Sequence, residues 1–201
     1  MTPMESVLSK LNSVGIDLSK LNTLEMFGCV GKGHIDDYAD KVGSLDIWEI
    51  DSQYEPILKV KFPQANIKIC DSFQEVQTTQ NKYDLVIIDN PMSIYGDGKH
   101  CENFELFPDI FRITNESCIL ILNVIPKIDE GWHKSYPHVF TPEHLQRRCK
   151  FYQCENSDNL AMDYLAYIYA IWIFKAGYYV KYMLKEQRTC VYYLGLVIER
   201  R

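Results

Sequence analysis

Two runs of almost purely apolar residues constrain the fold of this chain more than any other feature of its sequence. Residues 83–88 read YDLVII and residues 118–124 read CILILNV. A strand with one solvated face alternates apolar and polar residues, whereas a central parallel strand is buried on both faces and is apolar throughout. Both runs have the length of strands rather than of helices. They therefore predict the middle of a parallel sheet that is covered by helices on both sides.

Shorter segments of strand and helix pattern fill the rest of the chain. The further strand predictions are residues 24–27, 45–50, 66–70, 178–184 and 190–198. The helix predictions are an N-terminal helix with its connector over 1–21, then 35–42, 54–61, 102–113, 142–152, and a long apolar helix from Ser157 or Asp158 to Gly177. Because strands and helices alternate before a closing hairpin, the pattern predicts a single α/β domain over 1–201. Residues 125–141 look like loop, and the insertion 125–156 is expected to form a lid over a substrate.

Composition narrows the possible partners and the compartment. The chain has 201 residues and a formal net charge of −6. The negative charge is evidence against a broad surface that binds nucleic acid. The most apolar stretch, 164–174, has half of the roughly 20 residues that a membrane-spanning helix needs, so we expect a buried helix and no membrane. The N-terminus shows no signal-peptide pattern. Seven cysteines without a CxxC pair favour reduced thiols in the cytoplasm.

Polar and glycine residues follow the predicted strands at the edge where ligands bind in parallel α/β sheets. GCVGKG at 28–33 follows the first strand, and its glycines let a backbone approach a ligand closely. Glu49 ends the second strand 18 residues after Gly31, near the roughly 20-residue spacing of an acid that accepts ribose hydroxyls. Asp71-Ser72 and Asp89-Asn90 follow the third and fourth strands. These positions predict a nucleoside site.

Each of these residues also has a plain structural interpretation. Glu49 fits a solvated acid at a strand end, and Asp71 fits a helix cap. Asp89 and Asn90 fit a loop cap and a turn residue. His100 has the pKa range of a general base but also suits a solvated loop. Only the joint order of the strand-end residues separates the functional interpretation from these alternatives.

Four segments taken together resemble a known family. LEMFGCVG at 24–31, WEID at 48–51, ICDSF at 69–73 and YDLVIIDNPM at 83–92 are similar to the motifs of class I S-adenosylmethionine-dependent methyltransferases. The resemblance covers roughly residues 20–125 and 157–201. It implies a Rossmann-like three-layer fold, with a seven-stranded, mostly parallel sheet that has one antiparallel strand. It also implies S-adenosylmethionine as cofactor and transfer of its methyl group.

The resemblance assigns roles to the strand-end residues. It implies that the cofactor contacts Glu25, Phe27, Gly28, Cys29, Gly31, Gly33, Glu49, Ile50, Asp71, Ser72 and Asp89. Glu49 would hold the ribose and Asp71 the adenine. Catalytic roles near the methyl group and the acceptor fall to Asp89, Asn90 and His100, and substrate contacts to Pro91, Met92 and Tyr95.

Two positions depart from the family pattern and shape the expected acceptor. Cys29 stands where a glycine is usual and would crowd the methionine part of the cofactor. Met92 stands where an amino-methylating enzyme of the family often carries an aromatic residue, and a flipped nucleic-acid base usually needs such a stacking partner. With the acidic net charge, this favours O- or N-methylation of a small molecule or sugar.

Several alternatives remain open beside that expectation. They are nucleic-acid N-methylation, aminopropyl transfer as in polyamine synthases, and a degenerate cofactor-binding module that regulates a partner. For aminopropyl transfer, Asp97 and Glu102 are the acids nearest the fourth strand. The sequence does not predict an oligomeric state.

Histidines and cysteines lie close together in sequence near the end of the predicted lid segment without forming a metal motif. The five residues fall within 22 positions, at spacings that match no standard zinc finger: His133, His138, His144, Cys149 and Cys154. We therefore predict no metal site and assign these residues to the substrate lid.

Overall fold

The computed structural model describes residues 1–31, 33–90 and 102–201, and its centre is one sheet of seven strands. The strands are β1 (Asn22–Glu25), β2 (Ser44–Glu49), β3 (Asn66–Ile69), β4 (Tyr83–Ile88), β5 (Thr114–Val124), β6 (Tyr178–Arg188) and β7 (Val191–Arg200). Their order is β3-β2-β1-β4-β5-β7-β6. Strands β1 to β5 pair in parallel, and β7 is antiparallel to both β5 and β6. The mostly parallel sheet with one antiparallel strand confirms the predicted fold class.

Strand β4 explains why the sequence there is apolar throughout. It pairs with β1 on one side and β5 on the other, and its last four residues are completely buried. Val86 and Ile88 point into one hydrophobic cluster, while Leu85 and Ile87 point into a second cluster on the opposite face. Because successive side chains of a strand alternate between faces, a strand covered on both sides needs apolar residues at every position.

Helices cover both faces of the sheet. They are α1 (Pro3–Ser13), α2 (Glu55–Lys61), α3 (Ser72–Thr78), α4 (Glu130–Ser135), α5 (Pro142–Tyr152) and α6 (Met162–Lys175). Buried apolar residues of α1 and α2 belong to one hydrophobic cluster, and those of α3, α5 and α6 belong to the other. The result is three layers. No helix in these three described ranges is long and apolar enough to cross a membrane.

The prediction of a plain loop over 125–141 is wrong, because α4 lies inside it. The Asp129 side chain caps this helix by accepting a hydrogen bond from the Trp132 amide at 3.1 Å. A helix of six residues is too short to show a hydrophobic period, so the pattern of the sequence did not indicate it.

The start predicted for the long apolar helix is also wrong. Helix α6 begins at Met162 rather than after Ser157 or Asp158. The backbone just before it is bonded to the start of the insertion instead. Ile128 donates its amide hydrogen to the Asp158 carbonyl, and Leu160 donates to the Pro126 carbonyl, each at 2.8 Å. These two bonds close the base of the segment 125–156.

Two other predicted helices are only short 3₁₀ turns. His34–Asp37 forms one turn where a helix over 35–42 was expected. The segment 102–113 divides into Asn103–Glu105 and Phe107–Arg112. Pro108 accounts for the division, because its ring carries no amide hydrogen for a continuous helix.

The closing hairpin is longer than predicted. Strand β6 continues to Arg188 and β7 begins at Val191, so the turn consists of Thr189 and Cys190 alone. Thr189 adopts a left-handed conformation with φ of 54°. The extension brings Arg188 to the edge of the sheet where β4 ends.

Candidate functional site

A cleft of about 490 Å³ lies at the carboxyl edge of the sheet, where β1 and β4 end. Pockets for small ligands typically have volumes of roughly 300–1,000 Å³. Its wall is formed by residues 27–29 after β1, His34, Asp89 and Asn90 after β4, Asn123 of β5, Trp132 and Tyr136 from α4 and its end, and residues 188–191 of the hairpin turn. The cleft therefore lies at the edge of the sheet where a ligand was predicted, and the insertion and the hairpin turn complete its wall.

The loop after β1 is built on glycine. A Cβ atom added at Gly28 would lie 2.5 Å from the Ile47 side chain, and Gly31 adopts a φ of 64°. The loop turns tightly, since the Gly31 amide donates to the Gly28 carbonyl at 2.8 Å. Cys29 sits between them with a φ of 47° and is exposed at the cleft. The residue that departs from the family pattern thus occupies a conformation that favours glycine.

Glu49 ends β2 beside this loop. One carboxylate oxygen accepts a hydrogen bond from the Cys29 amide, and the other accepts from the Asp51 amide at 2.7 Å. Burial raises the pKa of Glu49 above its usual value, against the effect of these amide bonds. Glu49 therefore joins the glycine loop to the end of β2.

Glu25 ends β1 and is completely buried. It accepts hydrogen bonds from the Phe27 amide at 3.1 Å, from the His34 Nε2 at 2.8 Å and from the Tyr38 hydroxyl at 2.5 Å. The short 3₁₀ turn after the glycine loop is what places His34 and Tyr38 over this carboxylate.

His34 connects Glu25 to Asp89. Its Nδ1 lies 2.9 Å from an oxygen of Asp89, and Arg188 Nη1 and the Tyr193 hydroxyl donate to the same oxygen at 2.5 and 2.6 Å. Both ring nitrogens of His34 thus face carboxylates, which requires both to carry hydrogen. We name these five residues, Glu25, His34, Asp89, Arg188 and Tyr193, the cleft cluster.

The charges of the cleft cluster support one another. Burial lowers the pKa of His34, but the charge of Glu25 and hydrogen bonds to Asp89 and Glu25 outweigh burial and raise that pKa to about 10. Burial raises the pKa of Asp89, whereas the hydrogen bond and charge of His34 and the charge of Arg188 lower it to about 2. Both groups are therefore ionised at neutral pH.

Asn123 adds a polar group to the wall from inside an apolar strand. Its Nδ2 donates to the second oxygen of Asp89 at 3.0 Å. The reverse amide orientation would bring two acceptors together, so the donor role is fixed. Asn123 Oδ1 is buried and has no hydrogen-bond partner among the described residues. A buried unpaired acceptor costs about 1–3 kcal/mol, which is typical of a site that accepts a ligand.

A second buried group of charges lies behind the cleft, in the core. Arg148 is completely buried and donates to Glu102, to the Ser157 carbonyl and to the Ile125 carbonyl. His144 Nε2 lies 2.8 Å from Glu102. Burial raises the pKa of Glu102, but the charge of Arg148 and the hydrogen bond to His144 outweigh it and lower that pKa.

We name Glu102, His144 and Arg148 the anchor cluster. Its arginine holds the backbone at residue 125, where the predicted insertion 125–156 begins, and at residue 157, directly after its end. His144, one of the histidines considered for metal binding, is thus part of an ion-paired network in the core.

The predicted site residues fall into three groups. Phe27, Gly28, Cys29, Asp89 and Asn90 line the cleft. Others border it or lie beyond its wall: Glu25, Gly31, Gly33, Glu49, Ile50, Asp71 and Ser72. Pro91, Met92, Tyr95 and His100 lie outside the described residues.

Asp71 and Ser72 also have structural partners. An Asp71 carboxylate oxygen accepts from the Phe73 amide at 2.9 Å and caps α3. The Ser72 hydroxyl donates to the Met26 carbonyl at 2.6 Å. The capping interpretation of Asp71 therefore agrees with the geometry, and its adenine role stays a prediction.

Sequence reasoning did not identify several residues of the cleft wall and of the cleft cluster. They are His34, Asn123, Trp132, Tyr136, Arg188 and Tyr193. Asn123 carried a signal, because it is a polar residue within the apolar run CILILNV. Arg188 carried none, since it lies 99 residues from Asp89 in sequence and looked like part of a surface turn.

Comparison with known proteins identifies a fold. No protein-family model matches the chain, and no curated protein matches it. Among solved structures, magnesium protoporphyrin IX methyltransferase from Synechocystis PCC 6803, with bound S-adenosylhomocysteine, is 15% identical with a TM-score of 0.58, over 98% of this chain and 82% of that chain.

Two further structures show the same similarity. The 1,6-didemethyltoxoflavin-N1-methyltransferase of Burkholderia thailandensis is 9% identical with a TM-score of 0.56, over 98% of this chain and 76% of that chain. A putative RNA methyltransferase from Pyrococcus horikoshii is 13% identical with a TM-score of 0.52, over 98% and 81%. The chain therefore has the Rossmann-like fold of the S-adenosylmethionine-dependent methyltransferases.

Proposed function

We propose that this chain is an S-adenosylmethionine-dependent methyltransferase that acts on a small molecule. The observation that carries the proposal is the meeting of the glycine loop with Asp89 and Asn90 in one cleft, at the carboxyl ends of β1 and β4. This is the edge at which parallel α/β sheets bind ligands. The fold shared with methyltransferases supports the same conclusion.

The residues at this edge fit the cofactor. Each carboxylate oxygen of Glu49 accepts one backbone amide and retains a further lone pair, so Glu49 has room for ribose hydroxyls. Gly28 and Cys29 line the cleft and Cys29 is exposed, so a ligand can approach the end of β1. Asp71, at the end of β3, would lie nearest to the adenine. When bound, S-adenosylmethionine supplies a methyl group activated by a positively charged sulfur.

Asp89 and Asn90 would orient the acceptor. Hydrogen bonds from four side chains fix Asp89: those of His34, Arg188, Tyr193 and Asn123. Asp89 therefore forms a rigid, ionised part of the cleft wall and does not act as a base. Methyl transfer to an activated donor depends mainly on holding the nucleophile in line with the methyl group. A rigid wall supplies that orientation.

We assign the segment 125–156 to a lid over the acceptor. Trp132 and Tyr136 of this segment line the cleft. Arg148 of the anchor cluster bonds to the backbone where the segment begins and directly after it ends. The rings of Trp132 and Tyr136 therefore extend over the cleft from a fixed base. A cover of this kind excludes water from the reacting atoms.

A small acceptor fits the cleft better than nucleic acid does. The net charge of −6 disfavours binding to phosphate backbones. Two negative and two positive charges face one another in the cleft cluster, so its surface offers no excess of positive charge.

A binding module without transfer is the second candidate. The observation that favours it is the contact of His34 with both Glu25 and Asp89, because the imidazolium occupies two carboxylates that the resemblance assigns to the cofactor. In that case the cleft would bind the cofactor weakly and pass a signal to a partner.

Calorimetric titration with three ligands separates these candidates. Binding of both S-adenosylmethionine and S-adenosylhomocysteine, with methyl transfer in a screen of small acceptors, supports the proposal. Binding without turnover in that screen favours the binding module. Preference for decarboxylated S-adenosylmethionine would favour aminopropyl transfer, and no heat from any of the three would contradict a cofactor role for this cleft.

A further inference from the structure

Arg188 brings a positive charge to the acceptor side of the cleft. It ends β6, its side chain is 39% exposed, and it lines the cleft together with Trp132 and Tyr136. Its two hydrogen bonds, to Asp89 and to the Tyr193 hydroxyl, both come from Nη1. Within the described residues, Nη2 and Nε have no partner, so two nitrogens of the planar guanidinium remain for a ligand. Such a fork suits the two oxygens of a carboxylate.

Asp89 keeps its negative charge beside Arg188. Four donors surround its two oxygens, from His34, Arg188, Tyr193 and Asn123. A carboxylate held in this way accepts a further proton only in strong acid. An acceptor that arrives as an anion has no proton to lose, and Asp89 need only hold Arg188 and His34 in place.

Aromatic rings define the shape of the acceptor side. Trp132 and Tyr136 lie with ring centroids 6.3 Å apart at 62°, and Phe27 lines the cleft from the loop after β1. Tyr136 is 38% exposed. Exposed aromatic faces in a cleft bind flat apolar groups by stacking and by burial of apolar surface.

We propose that the acceptor is a flat small molecule that carries an oxyanion, either a carboxylate or an acidic phenolate. Arg188 binds the oxyanion, and the ring of the molecule stacks against Trp132 or Tyr136. This inference rests on the proposed methyl transfer and names the substrate class of the same cleft. Arg188 is then a substrate-binding residue, and the aromatic rings of the lid select acceptors that are flat.

The transfer step balances without a base. A lone pair of the acceptor oxygen forms the new bond to the methyl carbon, while the bond from that carbon to sulfur breaks and its electron pair stays on sulfur. The negative charge of the acceptor and the positive charge of the sulfonium both disappear, and no proton is released.

Three probes of one shape and different charge test the inference. Benzoate, benzamide and benzylamine are titrated into the full chain by ligand-observed NMR, with and without S-adenosylhomocysteine. We expect benzoate to bind at least about tenfold more tightly than benzamide, because a charge-assisted pair is lost in the amide. Benzylamine should bind most weakly. Arg188→Gln should abolish the preference, and Arg200→Gln, at an exposed arginine outside the cleft, should leave it unchanged.

A second pair of variants keeps Arg188 in place. Cys190 is exposed and lines the cleft, so Cys190→Asp adds a like charge that Cys190→Asn does not. Benzoate should bind several-fold more weakly to Cys190→Asp than to Cys190→Asn, and benzamide should bind the two equally.

The outcomes separate this inference from the proposed function. Failure of benzoate to bind, equal binding of benzoate and benzamide, or a preference that survives Arg188→Gln overturns the anionic acceptor. Failure of S-adenosylhomocysteine to bind contradicts the methyltransferase proposal and leaves the benzoate preference as a separate result.

Discussion

The cleft cluster and the anchor cluster share a glutamate, a histidine and an arginine but differ in how many hydrogen-bond donors of the arginine remain unused. Each contains a buried glutamate that contacts a histidine, together with an arginine. Arg148 is completely buried and its guanidinium bonds to Glu102 and to two backbone carbonyls. Arg188 is 39% exposed and uses one nitrogen. Residue type therefore does not distinguish a ligand site from a structural one, whereas unused donors facing a cleft do.

The largest difference between the two clusters should appear in stability. Arg148→Met leaves Glu102 charged and buried, so we expect the free energy of unfolding to fall by about 3–5 kcal/mol. Arg188→Met removes a partly exposed arginine and leaves the buried Asp89 with its other three donors, so it should cost at most about 1–2 kcal/mol. Urea unfolding of both variants measures the contrast.

Arg147→Met is the matched control, because Arg147 is the sequence neighbour of Arg148 and its side chain is 39% exposed in an ion pair with Glu105. We expect a cost below about 1 kcal/mol. Equal losses for Arg148→Met and Arg188→Met would remove the distinction between the clusters.

Glu49 should matter for the cofactor more than for the fold. Glu49→Gln retains an acceptor for one of the two backbone amides but lacks the charge that a ribose hydroxyl would meet, so cofactor affinity should fall about tenfold or more. Calorimetry with S-adenosylhomocysteine measures it, with Asp51→Asn two residues away as control. Unchanged affinity in Glu49→Gln would take Glu49 out of the site.

The cleft cluster should also make stability depend on pH. His34 has a folded-state pKa of about 10, above its usual value of 6.5, so its contribution is complete below pH 6.5 and is lost as the pH rises towards 10. The opposite holds for Asp89, whose pKa is about 2: its contribution is present above pH 3.8 and is lost as the pH falls towards 2.

Unfolding free energies at pH 7, 8 and 9 test the histidine. The parent protein should lose up to about 1.4 kcal/mol per pH unit, because the folded state binds one proton more than the unfolded state. His34→Gln should flatten this slope, whereas His138→Gln, at an exposed histidine, should keep it. A slope that is unaltered in His34→Gln would show that His34 is not the charged link of the cluster.

The smallest effect is expected at Cys29. Its left-handed conformation costs a residue with a side chain about 1–2 kcal/mol, while glycine costs about 0.4–1 kcal/mol through the unfolded state. Cys29→Gly should therefore leave stability unchanged or raise it by up to about 1 kcal/mol. Thr189 also has a left-handed conformation, with a φ of 54°, so Thr189→Gly should change stability in the same direction. A clear loss of stability in Cys29→Gly would show that the thiol makes a stabilising contact.

The sheet could be predicted from the sequence, because the residues of each strand themselves show how that strand is buried. A strand buried on both faces must be apolar at each position, and YDLVII at 83–88 agrees with β4 residue for residue. Helix α5 was equally readable, since Thr141 caps it and Pro142 begins it. The glycine loop and the acids at the strand ends could be located for the same reason, because each follows a recognisable strand.

The cleft cluster could not be predicted, because its partners are far apart in the chain. Arg188 and Tyr193 reach Asp89 across 99 and 104 residues, through the register of the β6–β7 hairpin. A one-residue change in that register would point both side chains to the other face of the sheet. Likewise, nothing in the local pattern distinguishes Arg148, which is buried, from Arg147, which is partly exposed.

Hydrogen exchange with and without S-adenosylhomocysteine tests most directly the claim that the cleft, and not the core behind it, is the ligand site. We expect slower exchange on binding at residues 27–31, at 49–51 and at 89–90. At Ile128 and Leu160, whose amides bond to carbonyls at the base of the insertion, we expect no change. Protection confined to other parts of the chain, or none at saturating ligand, would contradict it.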